Sequence, residues 1–156
     1  MKIRTPLRGK HSRQPEARRS PTAEARANPL PIGLEASVER VVEHRHTIQA
    51  VDPNLPAVFS TPAMIGLMEY ASVMAVRGEL PPGVITVGPR IEVDHLKAVT
   101  LGATVRARAQ LVGREGRFLV FEVEARSGPR VIGRGRVFRA IVEPSKFTGA
   151  AHQGSR

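Results

Sequence analysis

The chain has 156 residues, 41% of them hydrophobic and 24% charged, with a formal net charge of +10. That length fits one domain with tails. It has no cysteine, which excludes a disulfide framework or a Cys-ligated zinc site, and the 4% aromatic content without tryptophan counts against base-stacking platforms for nucleic acid.

Residues 1–33 read as a disordered basic tail. Up to residue 30 it holds Lys2, Arg4, Arg8, Lys10, Arg13, Arg18, Arg19 and Arg26 against Glu16 and Glu24. Eight basic and two acidic residues account for six of the ten net positive charges, leaving +4 for the rest. A Pro- and Arg-rich segment buries too little apolar surface to order itself. Its first reading is a solvated extension, and its second a patch for nucleic acid or an acidic partner. It lacks the apolar core of a secretory signal, and its glutamates and missing amphipathic pattern set it apart from a transit peptide. No apolar run reaches the roughly 18 to 20 residues of a membrane span. A cysteine-free chain fits a reducing cytoplasm.

Residues 34–144 carry the folded domain. The β-branched residues Val38, Val41, Val42, Thr47 and Ile48 predict a strand over 36–49, and Pro53 and Pro56 then mark a loop. A helix is expected over 61–77. Ser60 or Thr61 can cap it, Pro62 suits its first turn, and Gly78 can end it. Its apolar residues cover most of its circumference, so burial on most sides is expected. Glu69 is the only charge between Pro62 and Arg77.

Four further strands are expected. Over 84–95, Ile85, Val87, Ile91, Val93 and His95 share one face. Segments 103–112 and 117–126 alternate and are joined by a turn at Gly113-Arg114-Glu115-Gly116. Ser127-Gly128-Pro129 leads into a last strand over 131–142. Residues 145–156 read as a flexible tail. The order is strand, helix, then a four-strand meander whose short links imply antiparallel pairing. This is an α+β domain with one long central helix wrapped by a curved antiparallel five-stranded sheet.

That architecture resembles the hotdog fold, and local motifs sharpen the likeness. "STPAMIGLMEYA" (60–71), "TVG" (86–88) and "HLKAVTLGATV" (95–105) resemble the thioesterase-like hotdog family that includes fluoroacetyl-CoA thioesterase. The resemblance spans about residues 36–142. It implies a catalytic set of Thr61, Glu69 and His95, with Gly88 lining the acyl pocket. Val58 and Met64, near the helix start, are expected beside the substrate with Gly88. The resemblance also implies side-by-side homodimers, with tetramers built from dimers as a further option. Two departures stand out. Lys97-Ala98-Val99-Thr100-Leu101-Gly102 replaces the usual motif after the histidine, and Asp52 to Ala57 shows no aromatic lid. Fluoroacetate specificity is therefore not carried over.

The residue types suit thioester hydrolysis. A carboxylate desolvated on a buried helix has a raised pKa unless something compensates, which suits a general base or nucleophile near neutral pH. His95 can protonate the leaving thiolate, and Thr61 can donate a hydrogen bond near the helix N-terminus. Arg90, Lys97 and Arg106 can meet coenzyme A phosphates. Each residue also has a plainer reading. Thr61 can simply cap the helix, His95 can bond a backbone carbonyl, Glu69 can sit on an exposed strip, and the basic residues can be a solvated sheet face. Eight helical residues span about 12 Å. Thr61 and Glu69 therefore meet only if the helix starts later than Thr61, or if two subunits share the site.

No dinucleotide or phosphate-loop motif is present, and His44 with His46 lacks the company a metal needs, so no cofactor and no metal are expected. The expected activity is an acyl-CoA thioesterase. Its rivals are a non-catalytic acyl- or CoA-binding module, a binder of nucleic acid or acidic partners through the tail, and more weakly a hotdog hydratase. The carrier, CoA or acyl carrier protein, is left open.

Overall fold

The computed structural model describes residue 22 and residues 30–146. The rest of the two expected tails lies outside the described residues. Five strands are present: β1 (Glu35–Val41), β2 (Ile85–His95), β3 (Thr104–Glu115), β4 (Phe118–Ser127) and β5 (Arg130–Val142). One helix, α1, spans Thr61–Arg77. All strand pairs are antiparallel, in the order β1-β3-β4-β5-β2.

The predicted four-strand meander is therefore three strands long. β3, β4 and β5 follow one another as hairpins, whereas β2 crosses to the far edge and pairs with β5. The eight residues 96–103 between β2 and β3 are too many for a tight hairpin and serve as the crossover.

β1 is also shorter than its β-branched run suggests. Its ladder on β3 ends at Val41↔Thr104, where β3 begins, so no partner remains beyond it. Two 3-10 turns follow, His44–His46 and Ile48–Ala50. Side chains close them: Glu43 N donates to His46 Nδ1 at 3.1 Å, and Thr47 Oγ1 donates to the His44 carbonyl at 2.7 Å. Before β1, Leu30 is buried in the core, Gly33 N donates to the Leu111 carbonyl, and Leu111 N donates to that of Leu34.

The β3–β4 turn falls later than expected. β3 runs through Gly113 by a bulge after Leu111, and the chain reverses at Gly116, whose φ of 58° an L-residue rarely adopts.

The core lies between α1 and the inner face of the sheet. Met64, Leu67, Met68, Ala71, Ser72, Ala75 and Val76 form the buried stripe at helical spacing. They meet Val105, Ala107, Ala109 and Leu111 of β3, and Leu119, Phe121, Val123 and Ala125 of β4. The alanines in these rows leave room for the helix to approach the strands. Each fully buried Leu, Met or Phe contributes roughly 1.5–3 kcal/mol. The helix is not buried on most sides, as its composition suggests. Gly66 and Tyr70 are exposed, and Ile65, Val73 and Met74 are half-buried. The outer sheet face is a lattice of alternating charge, in which Arg108 opposes Glu124, Glu124 opposes Arg134 and Arg134 opposes Asp94.

Candidate active site

The start of α1 settles which side chain caps it. Ser60 Oγ accepts from Ala63 N at 3.2 Å, and Ser60 has the extended backbone of an N-cap. That leaves the Thr61 hydroxyl free of capping duty. The loop before it is pinned on two sides: Ser60 N donates to the His46 carbonyl, and Phe59 N donates to that of Val99. Phe59 is buried and anchors the loop in the core. Thr61 is thus held against the end of β2, where its Oγ1 and His95 Nδ1 share a 2.9 Å hydrogen bond.

His95 Nε2 is buried and has no partner within the described residues. A buried imidazole nitrogen left open costs free energy unless another group comes to meet it. Around this pair is a cavity of about 290 Å3, lined by Val58, Phe59, Thr61, His95, Lys97 and neighbouring residues. Val58, Thr61 and His95 therefore come together as expected, with Lys97 beside them.

Glu69 is not there. α1 begins at Thr61, so the carboxylate lies more than two turns along the helix, about 12 Å away by rise. Its side chain is 32% exposed, and its Oε1 lies 3.5 Å from Arg139 Nη1. Gly88 sits against it: a Cβ there would overlap Glu69 Oε1 and come within 3.2 Å of Arg139 Nη1. Glu69 and Gly88 are in contact, and one chain holds the candidate catalytic set in two separate halves.

Arg139 was not anticipated from the sequence. It is 5% exposed and projects inward from β5. Its Nε donates to Thr86 Oγ1 at 2.8 Å and its Nη2 to the Thr86 carbonyl at 2.8 Å, while Nη1 has no hydrogen-bond partner. Burial pulls this guanidinium below the ordinary arginine range, and the nearby Glu69 charge offsets part of that. The signal was present in "RVFRAIV", which puts Arg139 in register with Val137 and Ile141 on the apolar face.

A bulge explains the pattern of β2. The register slips between Val87 and Arg90, so Gly88 and Pro89 both oppose Arg139. The inward face therefore switches at this point. Thr86 is buried before the bulge, Ile91, Val93 and His95 are turned inward after it, and Ile85 and Val87 are exposed at 44% and 38%. The expectation that all five apolar positions share a face fails at Ile85 and Val87.

Two expected substrate contacts lie elsewhere. Met64 is fully buried, and a Cβ on Gly133 would overlap its sulfur, so it fills the core rather than lining the cavity. Arg90 is on the outer sheet face, 3.5 Å over the Phe138 ring and ion-paired with Glu92 and Glu115. Arg106 is on that face too, beside Glu39. Among the described residues no cluster of three or more potential metal ligands is found, and no helix is long and apolar enough to cross a membrane.

Three comparisons bear on this arrangement. The family model described as fluoroacetyl-CoA-specific thioesterase, FlK, matches residues 42–145. The fluoroacetyl-CoA thioesterase of Streptantibioticus cattleyicolor is 37% identical over 114 residues, covering 73% of this chain and 82% of that protein. Among solved structures, a fluoroacetyl-CoA thioesterase FlK superposes with a TM-score of 0.74 at 34% identity, covering 81% of this chain and 98% of the other. A thioesterase superfamily member from Thermus thermophilus gives 0.73 at 28% identity, covering 81% and 93%.

Proposed function

Because the chain belongs to the fluoroacetyl-CoA-specific thioesterase family, we propose that it hydrolyses short or medium acyl-CoA thioesters at a site shared by two copies. The observation that carries the shared site is the separation of Glu69 from the Thr61–His95 pair on one straight helix.

β2 is the means of joining them. It is an edge strand, and its outer edge has no partner among the described residues. Gly88, beside Glu69, and His95 lie seven residues apart on it, about 23 Å at roughly 3.3 Å per residue. Pairing β2 antiparallel with a second β2, about a two-fold axis near Ile91 and Glu92, sets Gly88 of one copy against the partner's His95. Each Glu69 then faces an imidazole from the other chain, twice per dimer. The exposed Val87 and Tyr70, with the half-buried Ile65, Val73 and Met74, supply apolar surface for such a contact.

In this arrangement Glu69 takes a proton from a water that adds to the thioester carbonyl, or attacks that carbonyl itself to form a mixed anhydride that a water then cleaves, releasing the acid and restoring the carboxylate. The carbon–sulfur bond then breaks, and His95 delivers a proton to the departing thiolate. Thr61 on Nδ1 orients the ring and leaves Nε2 for the reaction. Lys97 at the cavity supplies positive charge for an anionic carrier, here assigned to coenzyme A. No cofactor is required, and the cysteine-free composition fits a cytoplasmic enzyme.

Free CoA release from a panel of acyl-CoAs tests the reading, read with a thiol reagent against which this chain gives no background. Turnover by wild type, with at least a hundredfold loss in Glu69→Gln, supports it. CoA binding without turnover replaces it with a non-catalytic module. A single-chain mass in sedimentation at assay concentration refutes the shared site.

A further inference from the structure

A second hollow opens on the far side of Glu69 from the Thr61–His95 pair. It encloses about 220 Å3 and is lined by Val73, Arg77, Leu80, Val84, Ile85 and Thr86. Its place follows from the way β2 runs beside α1. The chain leaves the helix after Arg77, turns where Val84 N donates to the Pro81 carbonyl, and returns as β2. β2 therefore passes the helix in reverse, with Gly88 beside Glu69 and Thr86 and Val84 further back toward the last helical turns. Val73 is one turn past Glu69 and Arg77 one turn past Val73, on the same flank. The groove continues the line that starts at Glu69.

A thioester carbonyl held at Glu69 has two ways out. Its sulfur side leads to His95 and Lys97, in the cavity already given to the carrier. Its acyl side leads into the groove. Strand pairing in the proposed dimer leaves the groove open. β2 ends at His95, so a ladder that sets Gly88 against the partner's His95 stops there, and Ile85 and Thr86 lie past its end. Val73, Leu80, Val84 and Ile85 give it aliphatic walls, and a carbon chain laid along them removes apolar surface from water on both sides.

The groove ends on a charge. Arg77 is exposed, and its guanidinium makes no ion pair or hydrogen bond among the described residues. In the last turn of α1 it complements the helix dipole, but a basic residue on any flank of that turn would do so. This one lines the hollow. Arg77 is about 12 Å from Glu69 by helical rise, and its long side chain can fold back along the groove. An acyl chain of about six to eight carbons extends about 6 to 9 Å, at about 1.25 Å per bond. A neutral chain of that length leaves the guanidinium in water, whereas a terminal carboxylate meets its planar fork. We propose that this groove is the acyl subsite and that Arg77 closes it, selecting CoA thioesters of dicarboxylic acids about six to eight carbons long. This rests on the thioesterase reading above and names its substrate class.

The test uses the full chain as wild type, Arg77→Lys, Arg77→Gln, Arg77→Glu and Leu80→Phe, with acetyl-, hexanoyl- and adipoyl-CoA as substrates. CoA release gives kcat and KM, and melting curves check folding. Wild type should prefer adipoyl- over hexanoyl-CoA by about tenfold in kcat/KM, the worth of one hydrogen bond between charged partners. That ratio falls to about one in Arg77→Gln and below one in Arg77→Glu, through KM, while Arg77→Lys keeps part of it. A role at the helix end alone moves both six-carbon substrates alike and leaves the ratio where it was. Leu80→Phe narrows the groove and lowers the ratio of hexanoyl- to acetyl-CoA turnover; Ile85→Trp, on the exposed rim, serves in its place if Leu80→Phe does not fold. A wild-type ratio in Arg77→Gln, a wild type that prefers hexanoyl-CoA, or an unaltered chain-length preference in the narrowed groove overturns the inference. So does turnover of acetyl-CoA with neither six-carbon substrate, which leaves the thioesterase reading intact. Turnover of none of the three refutes that reading and the inference with it.

Discussion

Gly88→Ala isolates the placement of the Glu69 carboxylate better than any change to the carboxylate itself. Gly88 is not among the residues with positive φ, so alanine meets no backbone strain there. The added methyl would overlap Glu69 Oε1 and approach Arg139 Nη1 to 3.2 Å. The carboxylate is the far end of a flexible side chain and is 32% exposed, so it can swing outward and relieve the overlap. The fold then suffers little. Overpacking costs about 1–3 kcal/mol in a closed core, and about 1 kcal/mol is expected at this half-open site. A domain of this size would melt about 4 °C lower. Catalysis suffers more, because moving the carboxylate by about 1 Å lowers the rate about a hundredfold, or about 2.7 kcal/mol in the barrier. The assay is CoA release under steady state, paired with a melting curve. Activity within twofold of wild type, in a variant that melts as expected, refutes the reasoning. The carboxylate would then not need the space beside Gly88 at all.

The remaining expectations concern the other half of the site, the helix start and the interface. Thr61→Val should lower kcat about tenfold, and His95→Gln at least a hundredfold, the range of a lost general acid; CoA release measures both. Ser60→Ala should lower stability by about 1 kcal/mol in urea unfolding, through loss of the cap on Ala63 N. Glu69→Ala should destabilise more than a typical surface change, since it removes the counter-charge beside the buried Arg139; the melting curve should drop further for it than for Ser60→Ala. Val87→Lys on the outer edge of β2 should split the proposed dimer in sedimentation and abolish hydrolysis together.

How far the sequence reveals this molecule depends on whether a signal is local. Ser60-Thr61-Pro62 and the apolar stripe from Met64 to Val76 mark α1 to the residue, because capping and helical period are properties of a short segment. The alternation in β3 and β4 is legible for the same reason. What is hidden depends on partners distant in sequence. Val41 ends β1 only because β3 starts at Thr104, which no property of residues 36–49 reveals. The bulge at Gly88 and Pro89 lies opposite Arg139, some fifty residues later, and it leaves Ile85 and Val87 outside against a run that looks continuous. The family resemblance groups Thr61, Glu69 and His95, but it does not say which of them meet within one chain. Arg90 looked like a phosphate ligand because its charge is visible in the sequence, whereas the Phe138 ring and the two glutamates that engage it are not.

The separation of the two halves has a physical logic of its own. A single α-helix places residues eight apart about 12 Å apart, so one chain cannot close Thr61, His95 and Glu69 around one carbonyl. One turn nearer the helix start lie the half-buried Ile65 and the exposed Gly66, with the buried Met64 just before them. Met64 is fully buried beneath Gly133, where a carboxylate would have no counter-charge. At position 69 the acid finds a charged partner, a missing side chain that makes room, and partial access to water. Position 69 combines a charged partner with access to water, and it is out of reach of its own imidazole. In the proposed dimer an edge strand that carries both Gly88 and His95 converts this constraint into symmetry, because reversing the strand exchanges the two ends. On this reasoning an isolated chain is correctly folded and inactive. Mixing Glu69→Gln with His95→Gln chains should then regain up to about one quarter of the wild-type rate, since half the dimers are mixed and each holds one intact site. A rate no higher than that of either variant alone would show that the acid and the imidazole act from the same chain.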